Sequence, residues 1–250
     1  MALGQKVLFL GVYGMEVVEC GGALAKNILS GGESFASIML CRETSQPQVR
    51  KAAEVLGIKD VAFLNFESGA VDFGVESKKK LVKVIREVKP DIIITQDPEH
   101  SFHDLDPDRR PAMTLLLESI ALSSRDFALD EMPGLGPHPI PTIYYMTPHH
   151  PNTVVDITEV WEQKERAMDM LESQMEFSGQ HFEEMLDPKT VEIISPGFSK
   201  LATHKEKGRA IHKALDKAVH VYHGLATHGH FPLAEAYRRE GNFHLAELII

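Results

Sequence analysis

Four alternations of a short apolar run with a helical stretch predict an α/β protein with a mostly parallel sheet and helices on both faces. The runs are residues 6–11 (KVLFLG), 34–40 (SFASIML), 61–65 (VAFLN) and 91–95 (DIIIT). Near-continuous apolar character suits strands buried on both faces. Helical stretches separate them: 17–30, 49–56 and 77–88.

The first unit organises the rest. Residues 6–11 read as a buried strand, 17–30 as a helix, and Gly31-Gly32 supply the permissive backbone that ends helices. Between strand and helix lies the tight turn Val12-Tyr13-Gly14-Met15-Glu16. The glycines fall at the helix start (CGG) rather than as GxGxxG at the turn, so a dinucleotide fingerprint is absent. Gly57 ends the second helix and Pro90 stops the third. After the fourth strand comes the polar loop QDPEHSFHDLDPDRRP, then a helix over 112–123. Residues 127–141 carry PGLGPHP and read as a surface loop. Strands follow at 142–146 and from 153, then helices over 159–177 and 205–222. In 159–177, Trp161, Ala167, Met170, Leu171 and Met175 form a 3.6-residue apolar stripe. The ending FPLAEAYRREGNFHLAELII reads as amphipathic and then apolar. No linker or repeat divides the chain, so residues 1–250 are expected to form one Rossmann-like domain.

Composition narrows the function. A net charge of −10, with no basic stripe, argues against nucleic-acid binding. No apolar run approaches the ~20 residues of a membrane helix, so no membrane partner is expected. The opening MALGQK lacks a leader's apolar region, and two cysteines make no disulfide framework. A reduced, cytoplasmic protein is the simplest expectation. The apolar ending 245–250 and the loop residues Leu135 and Ile140 have no element of their own to cover them. A homo-oligomer is therefore expected.

In an open α/β sheet, ligands bind beyond the carboxyl ends of the strands. Two loops there gather polar groups: Tyr13 to Glu16, and Asp97 to Arg110 with Asp97, Glu99, His100, His103, Asp104, Asp106 and Asp108. Carboxylates and imidazoles at this density suit a divalent metal or acid–base work, or a solvated acidic loop whose aspartates cap the next helix. Arg109 and Arg110 suit an anionic substrate or pairing with the local aspartates.

Five segments carry a resemblance: KVLFLGVYGMEVVECGGALAK, RKAAEVLGIKDVAFLNF, VKPDIIITQDP, VVDITEVWEQKERAMDMLESQ and PLAEAYRRE. In this order they resemble the PIG-L/LmbE deacetylase family: its strand–HPDDE turn–CGGTLAK helix, its EAAxxLG pattern, its RPDVVIT segment, its VDIT-helix-K-A-SQ stretch and its AEAFR tail. The resemblance implies a Rossmann-like fold, hydrolysis of an N-acyl amide of a small polar or amino-sugar substrate, and zinc held by a turn His and Asp and a later His. A neighbouring Asp is then the base, and the first His of HxxH assists.

The motifs themselves are altered. One pairing puts Tyr13 at the turn His and Glu16 at the metal-binding Asp, because some branches read HAMD and YGME matches that spacing. A gap-free count puts Val12 and Met15 there. In the later loop, SFHDLD lays His103 on the assisting His and Asp106 on the zinc-binding His; a rival pairing through DPDR sets Asp106 and Arg109 there. The first pairing makes Glu16 and Asp106 metal ligands beside Tyr13. That oxygen-rich set suits manganese, magnesium or calcium better than zinc, and absence of metal stays open. Gly14 falls at the general base, leaving Glu16 or Glu43 to serve. Glu43 lies where the family has Gly-Glu after strand two. His149, in PHHP, resembles the 4-oxalomesaconate hydratase branch, which implies a hydratase or lyase on an unsaturated acid as an alternative. A pseudoenzyme binding module is the third reading. The expected catalytic set is His103, Glu43 and His149, with Tyr13 and Arg109 binding the small-molecule substrate.

Overall fold

The computed structural model describes residues 4–227 and 229–240. Seven strands form one sheet in the order β3-β2-β1-β4-β5-β7-β6. β1 (Lys6–Tyr13), β2 (Glu33–Leu40), β3 (Asp60–Phe63), β4 (Ile92–Gln96) and β5 (Thr142–Met146) run parallel. β6 (Thr153–Asp156) and β7 (Ala234–Glu240) are joined to them antiparallel, β7 lying between β5 and β6. The expected mostly parallel sheet with helices on both faces is thus present.

The helices are α1 (Glu16–Glu19), α2 (Gly21–Leu29), α3 (Gln46–Leu56), α4 (Val75–Val88), α5 (Pro98–His103), α6 (Arg109–Ser123), α7 (Trp161–Asp169), α8 (Glu172–Met185), α9 (Pro188–Ile194) and α10 (His204–Val221). One face of the sheet packs Phe9, Ile38 and Ile94 against Val17, Leu24, Leu56 and Met168 of α1, α2, α3 and α7. The other packs Leu8, Leu10 and Ile93 against Leu81 and Ile85 of α4 and Leu116 of α6. The period-2 alternation of β1 is what divides its side chains between the two cores. Arg86 is wholly buried and donates to the carbonyls of Arg125 at 2.7 Å and Phe127 at 2.9 Å, tying down the chain after α6. α8 and α10 cross closely at Gly179 and Gly208, where an added Cβ would lie 1.8–1.9 Å from backbone of the other helix.

Four sequence expectations change. The first helix is interrupted at Cys20, and the 159–177 helix breaks into α7 and α8 around Met170-Leu171. The segment 98–103, expected as loop, is α5, capped by Asp97, whose Oδ1 accepts from Glu99 N at 2.7 Å. Residues 234–240, expected as an amphipathic tail, form β7. On α10, two histidines are withdrawn from solvent: His212 Nε2 lies 2.9 Å from Ser178 Oγ, and His220 is buried against Trp161. Burial drives the His220 imidazole down to about 4. The apolar ending 244–250 lies outside the described residues, as does His228. Ile140 is exposed and Leu135 half-buried.

Candidate functional site

β1 is the topological switch point, with β2 on one side and β4 on the other. The crevice beyond its carboxyl end is therefore where a ligand is expected, and both polar loops meet there. Tyr13 closes β1, and its hydroxyl donates to Asp106 at 2.8 and 3.0 Å. Burial, then Asp106, raises the Tyr13 phenol, so it stays protonated as a donor.

Glu16 opens α1 and is 2% exposed. Its Oε2 accepts from the amides of Val12 at 2.8 Å and Tyr13 at 3.2 Å, and its Oε1 accepts from Arg109 Nη1 at 2.7 Å. Burial raises the Glu16 carboxyl, while Arg109 and the two amides pull it back. Arg109, at the start of α6, also donates to Gln96 Oε1 at the end of β4 and places Nε 3.1 Å from Asp104 Oδ2. Its guanidinium lies 5.1 Å from the centre of the Tyr13 ring.

The loop carboxylates have separate tasks. Asp106 Oδ1 accepts from Asp108 N at 2.9 Å, and Asp104 Oδ1 from Asp106 N at 2.9 Å. Asp108 is buried and holds Ser68 Oγ at 2.7 Å and Gly69 N at 2.8 Å. Asp97 is buried and takes a two-pronged bond from Arg238, Nε to Oδ2 at 2.9 Å and Nη2 to Oδ1 at 3.2 Å. Arg238 escaped the sequence reading because it sits on β7. The AEAYRRE alternation was the signal that could have found it.

Three histidines gather on the rim. His100 and His149 lie edge to face at 5.5 Å between ring centres, and His103 stacks on His149 at 6.2 Å. Burial and nearby Arg109 lower His100, so its imidazole is neutral at pH 7. His103 and His149 are exposed. Of the sequence-derived set, Tyr13 meets Asp106, Glu16 meets Arg109, and His103 meets His149. Glu43 is exposed in the loop after β2 and is placed in none of these contacts.

The donors do not fit the divalent ion expected on Glu16 and Asp106. Every oxygen of Glu16 is engaged, one by a guanidinium that has no lone pair to offer. Asp106 faces Tyr13 instead. Arg109, not Asp106, reaches the turn acid Glu16. Among the described residues, no three His, Cys, Asp or Glu side chains are grouped to hold a metal ion. A carboxylate base at position 14 is also closed off, since a Cβ on Gly14 would stand 2.7 Å from Val49 Cγ2.

Comparison with known proteins adds the chemistry of relatives. A family model described as PIG-L, GlcNAc-PI de-N-acetylase, matches residues 22–108, a span that excludes both Glu16 and Arg109. The chain is 35% identical over 127 residues to a diacetylchitobiose deacetylase of Thermococcus kodakarensis, covering 50% of this chain and 47% of that protein. The match thus spans about half the relative's length. A probable N-acetyl-alpha-D-glucosaminyl L-malate deacetylase 2 of Bacillus cereus is 27% identical over 160 residues, covering 63% of this chain and 67% of that protein. The fold is similar to that of N,N'-diacetylchitobiose deacetylase from Pyrococcus horikoshii, with a TM-score of 0.69 at 21% identity, over 94% of this chain and 84% of the other.

Proposed function

From a chain that belongs to the PIG-L/LmbE-like family, we propose a deacetylase-like hydrolase that cleaves the N-acyl amide of a small polar or amino-sugar substrate at the rim between β1 and β4. Two observations support this reading: the Tyr13 hydroxyl on Asp106 beside the switch point of the sheet, and the stacking of His103 on His149. The relatives named above, deacetylases of N-acetylglucosamine derivatives, supply the substrate class. In the family a divalent ion supplies Lewis acidity and an activated water; the residues here fit it poorly, since both oxygens of Glu16 are already engaged.

Asp106, held by the Tyr13 hydroxyl, accepts from a sugar hydroxyl. The face of Arg109 turned from Glu16 holds the acyl oxygen as charge develops on it. His149 takes a proton from the attacking water, and His103, stacked on it, returns one to the leaving amine. Glu43, exposed in the loop after β2, has no part in this scheme. A second reading, a binding module without turnover, is favoured by the Glu16–Arg109 pair, which occupies the groups a metal hydrolase would use. Cytoplasmic residence and homo-oligomeric assembly belong to the same proposal. Among the described residues no helix is long and apolar enough to cross a membrane.

The test is acetate release from N-acetylglucosamine and N,N'-diacetylchitobiose, with ligand binding followed by saturation-transfer NMR. Acetate release from either compound supports the hydrolase. Binding without release supports the module. Absence of both, with hydration of an unsaturated carboxylic acid seen by ultraviolet absorbance, replaces both with the hydratase reading.

A further inference from the structure

We infer that the Arg109 guanidinium is the resident cation of this site, standing beside Glu16 where the family places a divalent ion, and that the chain takes up no such ion there. The inference deepens the proposed reading and rests on it for the location alone.

The turn acid is fully used. Two backbone amides hold Glu16 Oε2 and the guanidinium holds Oε1. The cation is equally fixed: Glu16 and Gln96 accept from Arg109, Asp104 forms an ion pair with it, and the Tyr13 ring lies beside it. These partners come from α1, the end of β4 and the 97–108 loop, so the guanidinium joins the elements a shared metal would join. Arg109 is delivered from the first position of α6, and in the DPDR pairing it falls at the zinc-binding His. A guanidinium keeps its charge at any physiological pH and repels a divalent ion placed beside the same carboxylate. The remaining acids are committed as well: Asp106 to Tyr13 and the Asp108 amide, Asp104 to Arg109 and the Asp106 amide. A metal would have to displace the guanidinium, and with it two hydrogen bonds and an ion pair.

The wild-type chain is stripped with a chelator, incubated with zinc or manganese, desalted, and measured for metal per chain by mass spectrometry and for melting temperature. The expected result is substoichiometric metal and a melting temperature that neither ion nor chelator moves. One retained equivalent of either ion, with a raised melting temperature, would overturn the inference. In a second arm, Arg109→Met strands the buried Glu16 charge and is expected to lower the melting temperature on the order of 10 °C. Arg109→Lys keeps most of it, and the Glu16→Gln/Arg109→Met double variant recovers part of the loss. An Arg109→Met variant that melts with the wild type also refutes the idea. If that variant does not fold, the metal measurement on the wild type still decides. Neither arm reads acetate, so failure of the hydrolase reading and failure of this inference are seen separately.

Discussion

Replacing Lys164 by Met exposes how the core tolerates a deeply buried ion pair with β7. Lys164 and Glu235 are each 4% exposed at the side chain, with Nζ 2.5 Å from Oε1. Glu235 also accepts from Gly22 N at 2.8 Å, Ala23 N at 2.8 Å and Tyr237 Oη at 2.7 Å. Losing one partner of a buried pair costs about 3–5 kcal/mol, because a charge is left without compensation. Three donors and the amino end of α2 remain here, so the lower end applies, about 3 kcal/mol. For a chain this size that lowers the melting temperature by roughly 6–12 °C. Circular dichroism melts at pH 7 measure it. The pH dependence carries a sign. Burial raises the Glu235 carboxyl, but Lys164, with His220 and the Tyr237 hydroxyl, more than reverses this and the group is held below its usual value. Its stabilisation is therefore present above the unfolded carboxyl value of about 4.3 and lost as pH falls through the folded one. Without Lys164 the carboxyl rises and binds a proton sooner, so the deficit of Lys164→Met should narrow between pH 7 and pH 5. A variant within about 1 kcal/mol of wild type at pH 7, or a deficit flat with pH, refutes the reasoning.

Gly22→Ala would place a Cβ 2.6 Å from both Glu235 Oε1 and Ile157 Cγ2, and should cost about 1–3 kcal/mol in urea unfolding. His149→Ala should cut acetate release by roughly a hundred-fold or more while leaving ligand binding within error, as expected for loss of a proton-transfer group; unchanged turnover removes His149 from the mechanism. Light scattering at micromolar concentration should show more than one subunit, and deletion of residues 245–250 should lower the mass; a monomeric intact chain ends the assembly proposal.

Strands β1 to β6 were legible because each is a short apolar run bounded by turn residues. β7 was not, since its buried positions hold Ala234, Glu235, Ala236 and Tyr237 in an unbroken run rather than an apolar stretch, and a buried glutamate reads as surface until Lys164 is seen beside it. α5 was hidden for a similar reason: PEHSFH has no apolar period, and its start depends on the Asp97 cap. At the site, sequence found both loops and set Asp106 beside Glu16, a contact that Arg109 makes instead, because Arg109 is carried there at the start of α6 while Asp106 turns to the Tyr13 hydroxyl. The burial of His220 was not legible either, since it depends on Trp161, distant in the chain, packing on its ring.

The position of β7 shapes how this protein is made. β6 joins the sheet only through β7, and residues 157–233 separate the two in the chain. A nascent polypeptide emerging from the ribosome therefore carries β5 with an open edge, and β6 with no partner, throughout synthesis of α7 to α10. Open strand edges template pairing with other chains, and long-range pairings form slowly. Chaperone occupancy should therefore peak while that segment is translated and fall once residues 234–240 leave the exit tunnel and slot between two strands made long before.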